Sequence, residues 1–290
     1  MIDLHIHTCF SDGRLTPEQV VDLAIASGLS AIAITDHDVI NGIEPALDYA
    51  KNKNIKIVPG IEISCDENEL GYNEVHVIGL FIDYKNHELM KFCEEIKKQR
   101  IEQKKKIIKN LQTIGFNITY EEVEKTVGAS FGRPHIARVL VKKYPDKFSS
   151  TKDVFDKYIG IDKPAYVDRE DRHSIKTAIE IIKKANGLAI LAHPGMYKDD
   201  SAELIKIFSL LGGQCIETYY PYHIIFPDMK IDIEENEKLV KTYQKITHSL
   251  KLLESGGGDF HGGNRDTLGT MKIPDSVLEK LENKLTNEDL

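Results

Sequence analysis

Short apolar segments alternate with amphipathic helical segments along most of the chain, and this alternation restricts the fold more than any other feature. Residues 29–35, 55–59 and 187–192 have the length and apolar composition of buried strands. Helical patterns separate them, and the first begins at Thr16, with Gln19 in the position that completes a capping box. Strands separated by helices at least six times predict an α/β fold, either a parallel barrel or a doubly wound sheet.

The alternation is interrupted by a block of helical patterns with no strand among them. The block begins with a long, highly charged helix whose lysine-rich stretch, 97–109, is interpreted as a solvated helix face. Beyond about residue 163 the strand–helix alternation resumes. We therefore predict a barrel domain formed by residues 1–87 and 164–290, and an inserted helical subdomain formed by residues 88–163.

The composition disfavours several kinds of partner. The formal net charge of −8 argues against duplex nucleic acid, because binding to its backbone needs a basic protein face. A small anionic substrate is compatible with this charge, since bound divalent cations can reverse the local potential. No segment approaches the roughly 18 apolar residues of a membrane span, and the N-terminal residues lack a signal-peptide pattern. The four cysteines are scattered without a CxxC pair, which favours reduced thiols in a cytoplasmic protein.

Histidine and carboxylate side chains recur where the predicted strands end. His5 and His7 are two residues apart on the first strand, so both imidazoles leave the same face and can bind one metal ion. This pair is weak evidence alone, but seven more such residues lie on or just after predicted strands. They are Asp12, His37, Glu62, His76, His193, Asp259 and His261.

The positions of these residues along the strands predict where they meet. His76 lies in mid-strand, whereas the others lie at or beyond the C-terminal part of a strand, with Asp259 and His261 expected on one face of the last strand. In a parallel barrel this end carries the active site. Nine ionisable groups would be costly to bury there without cations to pair them, so the sequence predicts a metal site.

The sequence runs HIHT, TDHD, GIE, AHPG and GDFHG, in this order, resemble the motifs of the polymerase-and-histidinol-phosphatase (PHP) family. The run FGRPHIAR, within the helical block, resembles a pattern of the group in this family that acts on 3',5'-bisphosphonucleotides and short RNA. The resemblance implies a distorted (β/α)7 TIM-like barrel with an inserted helical subdomain. It also implies three divalent metal ions, and imidazole and carboxylate ligands suit Mn, Fe or Zn better than Mg.

Transferred motif by motif, the resemblance assigns a set of ligands to each metal ion. The first ion would be bound by His5, His7, Glu62 and Asp259. The second would share Glu62 as a bridge and be bound also by His76 and His193. The third would be bound by Asp12, His37 and His261. No member of the family's ligand pattern is missing, which favours a working catalyst over a degenerate binding domain.

The expected chemistry is hydrolysis of a phosphoester by a metal-bound hydroxide. Clustered divalent ions lower the pKa of a bound water and neutralise charge on the attacked phosphate. The protein side chains nearest to this hydroxide are expected to be Asp36, His193 and His261. One of the two aspartates that flank His37, Asp36 or Asp38, is expected to orient a ligand imidazole.

Substrate contacts are predicted in two places. Arg133, His135 and Arg138 lie at the start of a helix in the inserted block, where guanidinium and backbone N–H groups can bind a phosphate. In the resembled group this motif is expected to lie over the barrel mouth, and a surface capping turn is the alternative. Tyr220 and His223 follow a later strand, where an aromatic ring can either stack on a base or pack in the core.

The leading interpretation is a metal-dependent phosphoesterase that acts on phosphate monoesters of small nucleotides, such as 3',5'-bisphosphates, and also trims the 5' ends of short RNA. A histidinol-phosphate phosphatase is the close alternative, because it shares the motifs. A non-catalytic metal-binding regulatory module is the alternative from a different class.

Overall fold

The computed structural model describes residues 1–67, 71–126, 132–168, 173–263 and 266–288. The chain divides into two compact units, and unit 1 consists of Met1–Cys93 and His173–Leu290. Unit 2 consists of the intervening residues Glu94–Arg172. Among the described residues, the strands all belong to unit 1. In chain order they are β1 (Ile2–Asp3), β2 (Ala31–Ile34), β3 (Lys56–Glu67), β4 (Tyr72–Leu80), β5 (Leu188–Leu191), β6 (Cys215–Tyr219) and β7 (Leu253–Gly256).

The strands form one sheet in sequence order that is nearly closed into a barrel. β1, β2 and β3 pair in parallel, as do β5, β6 and β7. Beyond the regular strands, the backbone N–H of Leu4 donates a 3.1 Å hydrogen bond to the carbonyl of Gly256, and Ile6 forms a parallel bridge with Phe260. These contacts bring the first strand beside the last. The predicted distorted TIM-like α/β barrel is confirmed.

One strand departs from the parallel arrangement that the strand–helix alternation predicts. β4 pairs antiparallel with both β3 and β5. Only residues 68–71 separate β3 from β4, and so short a segment joins antiparallel neighbours, whereas a parallel crossover needs a dozen residues or more. β3 is also longer than predicted and continues through Glu62 to Glu67.

Helices surround the sheet in unit 1 and form unit 2. In chain order they are α1 (Pro17–Ala26), α2 (Ile43–Ala50), α3 (His87–Thr113), α4 (Tyr120–Glu124), α5 (Arg133–Lys143), α6 (Thr151–Val154), α7 (Ile175–Lys184), α8 (Ser201–Leu210), α9 (Tyr222–Ile225), α10 (Ile233–Ser249) and α11 (Asp275–Glu288). The predicted capping box of α1 is present, because Thr16 and Gln19 exchange hydrogen bonds between side chain and backbone. In the described residues, no helix is both long and apolar enough to span a bilayer.

Each unit has its own hydrophobic core. In unit 1, apolar side chains of the sheet such as Val58 and Ile190 pack in one cluster with Leu281 of α11. In unit 2, a separate cluster includes Leu111 of α3 and Leu140 of α5, together with several aromatic rings. Fully burying a side chain of this size contributes about 1.5–3 kcal/mol, so each cluster stabilises its own unit.

Candidate metal centre

The predicted ligand residues meet at one rim of the barrel. His5 and His7 follow β1, His37 follows β2, and His193 follows β5, each at the C-terminal end of its strand. The antiparallel direction of β4 explains His76, which did not fit the pattern in the sequence. Because β4 runs the opposite way, its first half lies at the same rim as the C-terminal ends of its neighbours.

The carboxylate of Glu62 lies at the centre of this cluster and is 1% exposed. Its Oε2 is 3.3 Å from Nε2 of His5, 3.2 Å from Nε2 of His7 and 3.0 Å from Nδ1 of His37. Its Oε1 is 3.1 Å from Nδ1 of His76 and 3.2 Å from Nε2 of His193. One carboxylate therefore faces five imidazole rings.

The contacts around Glu62 do not form a satisfied hydrogen-bond network. Oε2 of Glu62 and Nδ1 of His37 are buried, and neither has a hydrogen-bond partner among the described residues. Buried polar atoms without partners are costly, whereas imidazole nitrogens and carboxylate oxygens at these spacings suit divalent cations of the Mn, Fe and Zn type. The donor set therefore fits a metal centre.

Three groups of side chains place their ligand atoms within 4.8 Å of one another. They are His7, Asp12, His37 and His261; His5, His7 and Asp259; and His37, Glu62 and His76. The groups resemble the three ligand sets that the sequence motifs imply, but His7 and His37 each belong to two of them. His193 belongs to none, although its ring nitrogen contacts Glu62.

The last two predicted ligands follow β7, which ends at Gly256. The prediction that Asp259 and His261 lie on one face of a strand is wrong, because Asp259 has a φ of 49°, which breaks the extended conformation. Its Oδ1 is nevertheless 3.1 Å from Nε2 of His7. Nε2 of His261 is 3.1 Å from Oδ1 of Asp12, so a non-extended backbone still brings both residues into the cluster.

The backbone is strained at three positions around the cluster. Asp38, His193 and Asp259 have φ values of 55°, 31° and 49°, in the left-handed region that residues with a Cβ atom rarely adopt. Such strain costs free energy and persists where the surrounding structure enforces it, most often at functional sites. Two of these three residues are predicted ligands.

For most of these groups, interactions with charged neighbours shift the pKa more than burial does. Burial alone favours the neutral form, but the facing imidazoles hold the pKa of the Glu62 and Asp259 carboxyls well below its usual range. Against the effect of burial, Asp259 and Glu62 raise the pKa of His7 to about 10. Burial lowers the pKa of His37 to about 4, and the neighbouring imidazoles act in the same direction. Metal ions that bind here must therefore displace protons from part of the cluster.

Asp36, which we expect near the reacting water, is buried and accepts three hydrogen bonds. Its carboxylate accepts hydrogen bonds from the backbone N–H of Thr8 at 2.7 Å, from the Thr8 hydroxyl at 2.7 Å and from the Ser11 hydroxyl at 2.6 Å. Both oxygens are thus used to hold the loop that carries Asp12. Asp38 accepts hydrogen bonds from the backbone and hydroxyl of Ser64, which fixes the end of β2 against β3.

Two buried carboxylates at the cluster were missed as site residues. Glu217, on β6, accepts a 2.9 Å hydrogen bond from Nδ1 of His5 and a 2.7 Å hydrogen bond from the backbone N–H of His193. Asp3, on β1, accepts hydrogen bonds from the backbone N–H groups of Gly258 and Gly269, at 2.9 and 2.8 Å. The available signal was a carboxylate inside an otherwise apolar strand, since such a group is retained only where it is paired.

The two aromatic residues predicted to contact a base lie in different surroundings. Tyr220 is fully buried, and its hydroxyl donates a 2.7 Å hydrogen bond to Oδ2 of Asp259. Its ring therefore presents no open face to a base, and it positions Asp259 instead. His223 is half-buried in the short helix α9, and its backbone N–H donates to Asn236.

The remaining predicted substrate contacts lie in unit 2, at the start of α5. Arg133 is half-buried, with its guanidinium 5.5 Å from the ring centre of Tyr166. Nδ1 of His135 accepts a hydrogen bond from the backbone N–H of Gly132, so the neutral ring carries its proton on Nε2. Arg138 is exposed and five residues beyond Arg133, about 140° around the helix axis, so the two guanidinium groups lie on different faces.

Comparison with known proteins agrees with the barrel and its cluster of ligand candidates. The PHP domain family matches residues 3–254. A 3',5'-nucleoside bisphosphate phosphatase of Chromobacterium violaceum is 32% identical over 94% of this chain and 92% of its own length. A 5'-3' exoribonuclease of Haemophilus influenzae is 34% identical over 89% of both chains. The crystal structure of a metal-dependent phosphoesterase from Bifidobacterium adolescentis superimposes with a TM-score of 0.78, at 25% identity, over 97% of this chain and 94% of the other.

The barrel and its rim of imidazoles and carboxylates define a metal-dependent hydrolase of phosphoric esters, in agreement with these relatives. The chain belongs to the PHP family. It is an enzyme, a phosphoesterase, so the alternative of a non-catalytic regulatory module is wrong.

Proposed function

We propose that this phosphoesterase removes phosphate from small nucleotides of the 3',5'-bisphosphate type and trims the 5' ends of short RNA. The observation that carries the proposal is the central carboxylate of Glu62, which faces imidazoles from several strands at 3.0–3.3 Å. Such a donor set can hold adjacent cations, the arrangement that suits displacement at phosphorus. The names of the two relatives, a bisphosphate phosphatase and an exoribonuclease, support the choice of substrate.

We propose three divalent ions, Mn, Fe or Zn, at this centre. The proposed ligands are the nine predicted residues: His5, His7, Asp12, His37, Glu62, His76, His193, Asp259 and His261. When bound, such ions acidify water and offset the charge of the phosphate. The protein groups orient that chemistry, and His193 and His261, whose Nε2 atoms contact Glu62 and Asp12, are the side chains that we expect near the reacting water. The hydrogen bonds of Asp36 support a positioning role for it.

We propose that the inserted helical subdomain, residues 88–163, supplies a second phosphate contact through Arg133 and His135, with Arg138 adding positive charge from another face of α5. Support comes from the start of α5, where the proton on Nε2 of His135 and the guanidinium of Arg133 are donors suited to phosphate oxygens. The exposed Arg138 supplies a further positive charge on this helix. His223 stays a proposed contact at the barrel, whereas Tyr220 is proposed to act through Asp259.

We also propose that the enzyme works in the cytoplasm on small phosphorylated substrates and does not bind duplex nucleic acid. The scattered positions of its four cysteines, without a CxxC pair, support a reducing compartment. The formal net charge of −8 opposes non-specific binding to a duplex.

The test is a phosphate-release assay of the Mn-loaded protein. The substrates are adenosine 3',5'-bisphosphate, a short 5'-phosphorylated RNA, histidinol phosphate and p-nitrophenyl phosphate. We expect the bisphosphate to give the highest kcat/KM, and Glu62→Gln to abolish turnover and reduce bound metal. Glu254→Gln is the matched control, because Glu254 is a carboxylate on β7 of the same sheet that pairs with Gln244 and His248, away from the cluster. Preference for histidinol phosphate would reject the proposed substrate class.

A further inference from the structure

The side chain of Arg14 is exposed at the rim of the barrel that carries the ligand candidates. Arg14 lies two residues after Asp12, in the loop between β1 and α1. Its backbone N–H donates a 2.9 Å hydrogen bond to the carbonyl oxygen of His261. Since the ring of His261 is itself 3.1 Å from Asp12, Arg14 is joined to the part of the cluster formed by these two residues.

Two glycines allow the guanidinium of Arg14 to lie close against the backbone. A Cβ atom added to Gly263 would come within 2.7 Å of Nη1 and 2.8 Å of Cζ of Arg14, and one added to Gly262 would lie 3.5 Å from the Arg14 Cβ. Gly262 and Gly263 also have positive φ values, 73° and 86° respectively, which residues with a Cβ rarely adopt. The guanidinium of Arg14 therefore lies against the backbone at Gly263.

The charge of this guanidinium is not neutralised by a neighbouring carboxylate. Among the residues that the structure describes, none forms an ion pair or a side-chain hydrogen bond with Arg14. Some lysines of unit 1 are paired instead. Lys53, Lys85 and Lys184 pair with surface carboxylates at 2.8, 3.0 and 2.7 Å. Arg14 thus keeps a permanent charge, and a planar set of donors, in the loop that carries Asp12.

We propose that Arg14 binds the oxygens of the phosphate group that is hydrolysed, at the side of the cluster formed by Asp12 and His261. The proposal rests on the proposed function and deepens it. Carboxylates at the rim repel an anionic substrate, and a guanidinium beside them offsets this repulsion and matches two phosphate oxygens with two donors. Because the contact is with the reacting phosphate, it serves every phosphate monoester, with or without a second phosphate.

The test compares Arg14→Ala and Arg14→Lys with the wild-type protein, all loaded with Mn. We expect Arg14→Ala to lower kcat/KM by about 10–100-fold, and by a similar factor for p-nitrophenyl phosphate and adenosine 3',5'-bisphosphate. The Kd of inorganic phosphate, measured by calorimetric titration of the Mn-loaded protein, should rise by a comparable factor. Arg14→Lys should recover part of both losses, because it keeps the charge and loses the planar pair of donors.

Lys85→Ala is the control, because it removes one positive charge from the same unit. Lys85 follows the C-terminal end of the antiparallel strand β4, at the rim opposite the cluster, and should leave both measurements unchanged. Unchanged phosphate binding in Arg14→Ala would overturn the proposal, and so would an effect confined to the bisphosphate or a loss of bound Mn. If the wild-type protein hydrolysed no ester, the proposed function would fail, while the phosphate titration would still decide the role of Arg14.

Discussion

Oε1 of Glu217 accepts a 2.9 Å hydrogen bond from Nδ1 of His5, and both side chains are almost completely excluded from solvent. This contact places the proton of the neutral His5 ring on Nδ1. The lone pair of Nε2 then faces Glu62 and Asp259. The second oxygen of Glu217 accepts the backbone N–H of His193 at 2.7 Å. One carboxylate on β6 therefore orients two proposed ligands that belong to different strands.

We expect Glu217→Gln to weaken metal binding by about 10–100-fold. A glutamine amide has one accepting and one donating end, so it cannot accept hydrogen bonds from His5 and His193 with both of its end atoms. Metal affinity is measured by competition with a chelator of known affinity, and excess Mn should restore part of the turnover. Glu254→Gln, on the neighbouring strand, should bind metal normally. Equal metal affinity for the two variants would show that Glu217 does not position the ligands.

Metal loading should release protons at pH 7. The pKa of His7 is raised to about 10 in the metal-free protein, because Asp259 and Glu62 outweigh the effect of burial, whereas a ligand imidazole must be neutral. Metal affinity should therefore increase as the pH rises from 7 towards 10. Calorimetric titration with Mn in buffers of different ionisation enthalpy measures the proton count, and equal heats in all buffers would contradict the prediction.

Removal of the metal should also change how stability depends on pH. The pKa of His7 in the metal-free folded state, about 10, lies above the ordinary histidine value of 6.5, so the protonated ring stabilises the fold. This contribution is fully present below pH 6.5 and is lost as the pH rises through 10. The chelator-treated protein should therefore lose stability between pH 7 and 10 in urea unfolding experiments, and the Mn-loaded protein should lose less. Parallel profiles would contradict this.

Local sequence patterns predicted most of the barrel and the ligand candidates. Buried strands and capping boxes are set by neighbouring residues, and His5 and His7 share a face because strand side chains alternate. The direction of β4 depends on the few residues that join it to β3, and the sequence pattern of β4 itself carries no information about it. His76 therefore seemed misplaced in the sequence and fits once the strand is reversed.

The supporting residues were harder to predict because their partners are distant in the sequence. Glu217 contacts a histidine 212 residues away, and Tyr220 donates to Asp259 across 39 residues. Within their own segments, Glu217 is a polar residue in a short strand, and Tyr220 resembles an exposed aromatic residue in a loop. Their burial is a consequence of barrel closure, which no local pattern records.

Asp3 should make the metal-free protein more stable in mild acid than at neutral pH. Burial raises its pKa to about 6 from 3.8, although backbone N–H groups of Gly269 and Gly258 partly oppose the shift. Stability from the protonated carboxyl is present below pH 3.8 and is lost as the pH rises to about 6. Relative to Asp3→Asn, the wild-type free energy of unfolding should fall by up to about 3 kcal/mol across this range. Parallel pH profiles in urea would exclude this role.

Arg133→Ala should raise KM for adenosine 3',5'-bisphosphate by about 10–100-fold and leave KM for p-nitrophenyl phosphate nearly unchanged, because only the former has a second phosphate. The guanidinium also lies 5.9 Å from the ring centre of Phe155 and 5.5 Å from that of Tyr166, so the loss of packing must be separated from the loss of the phosphate contact. Arg133→Met keeps much of the packing without the charge and should show the same selective rise in KM. Thermal unfolding of both variants reports the packing contribution. Equal effects on the two substrates would remove Arg133 from the second phosphate site and assign it to the structure of unit 2.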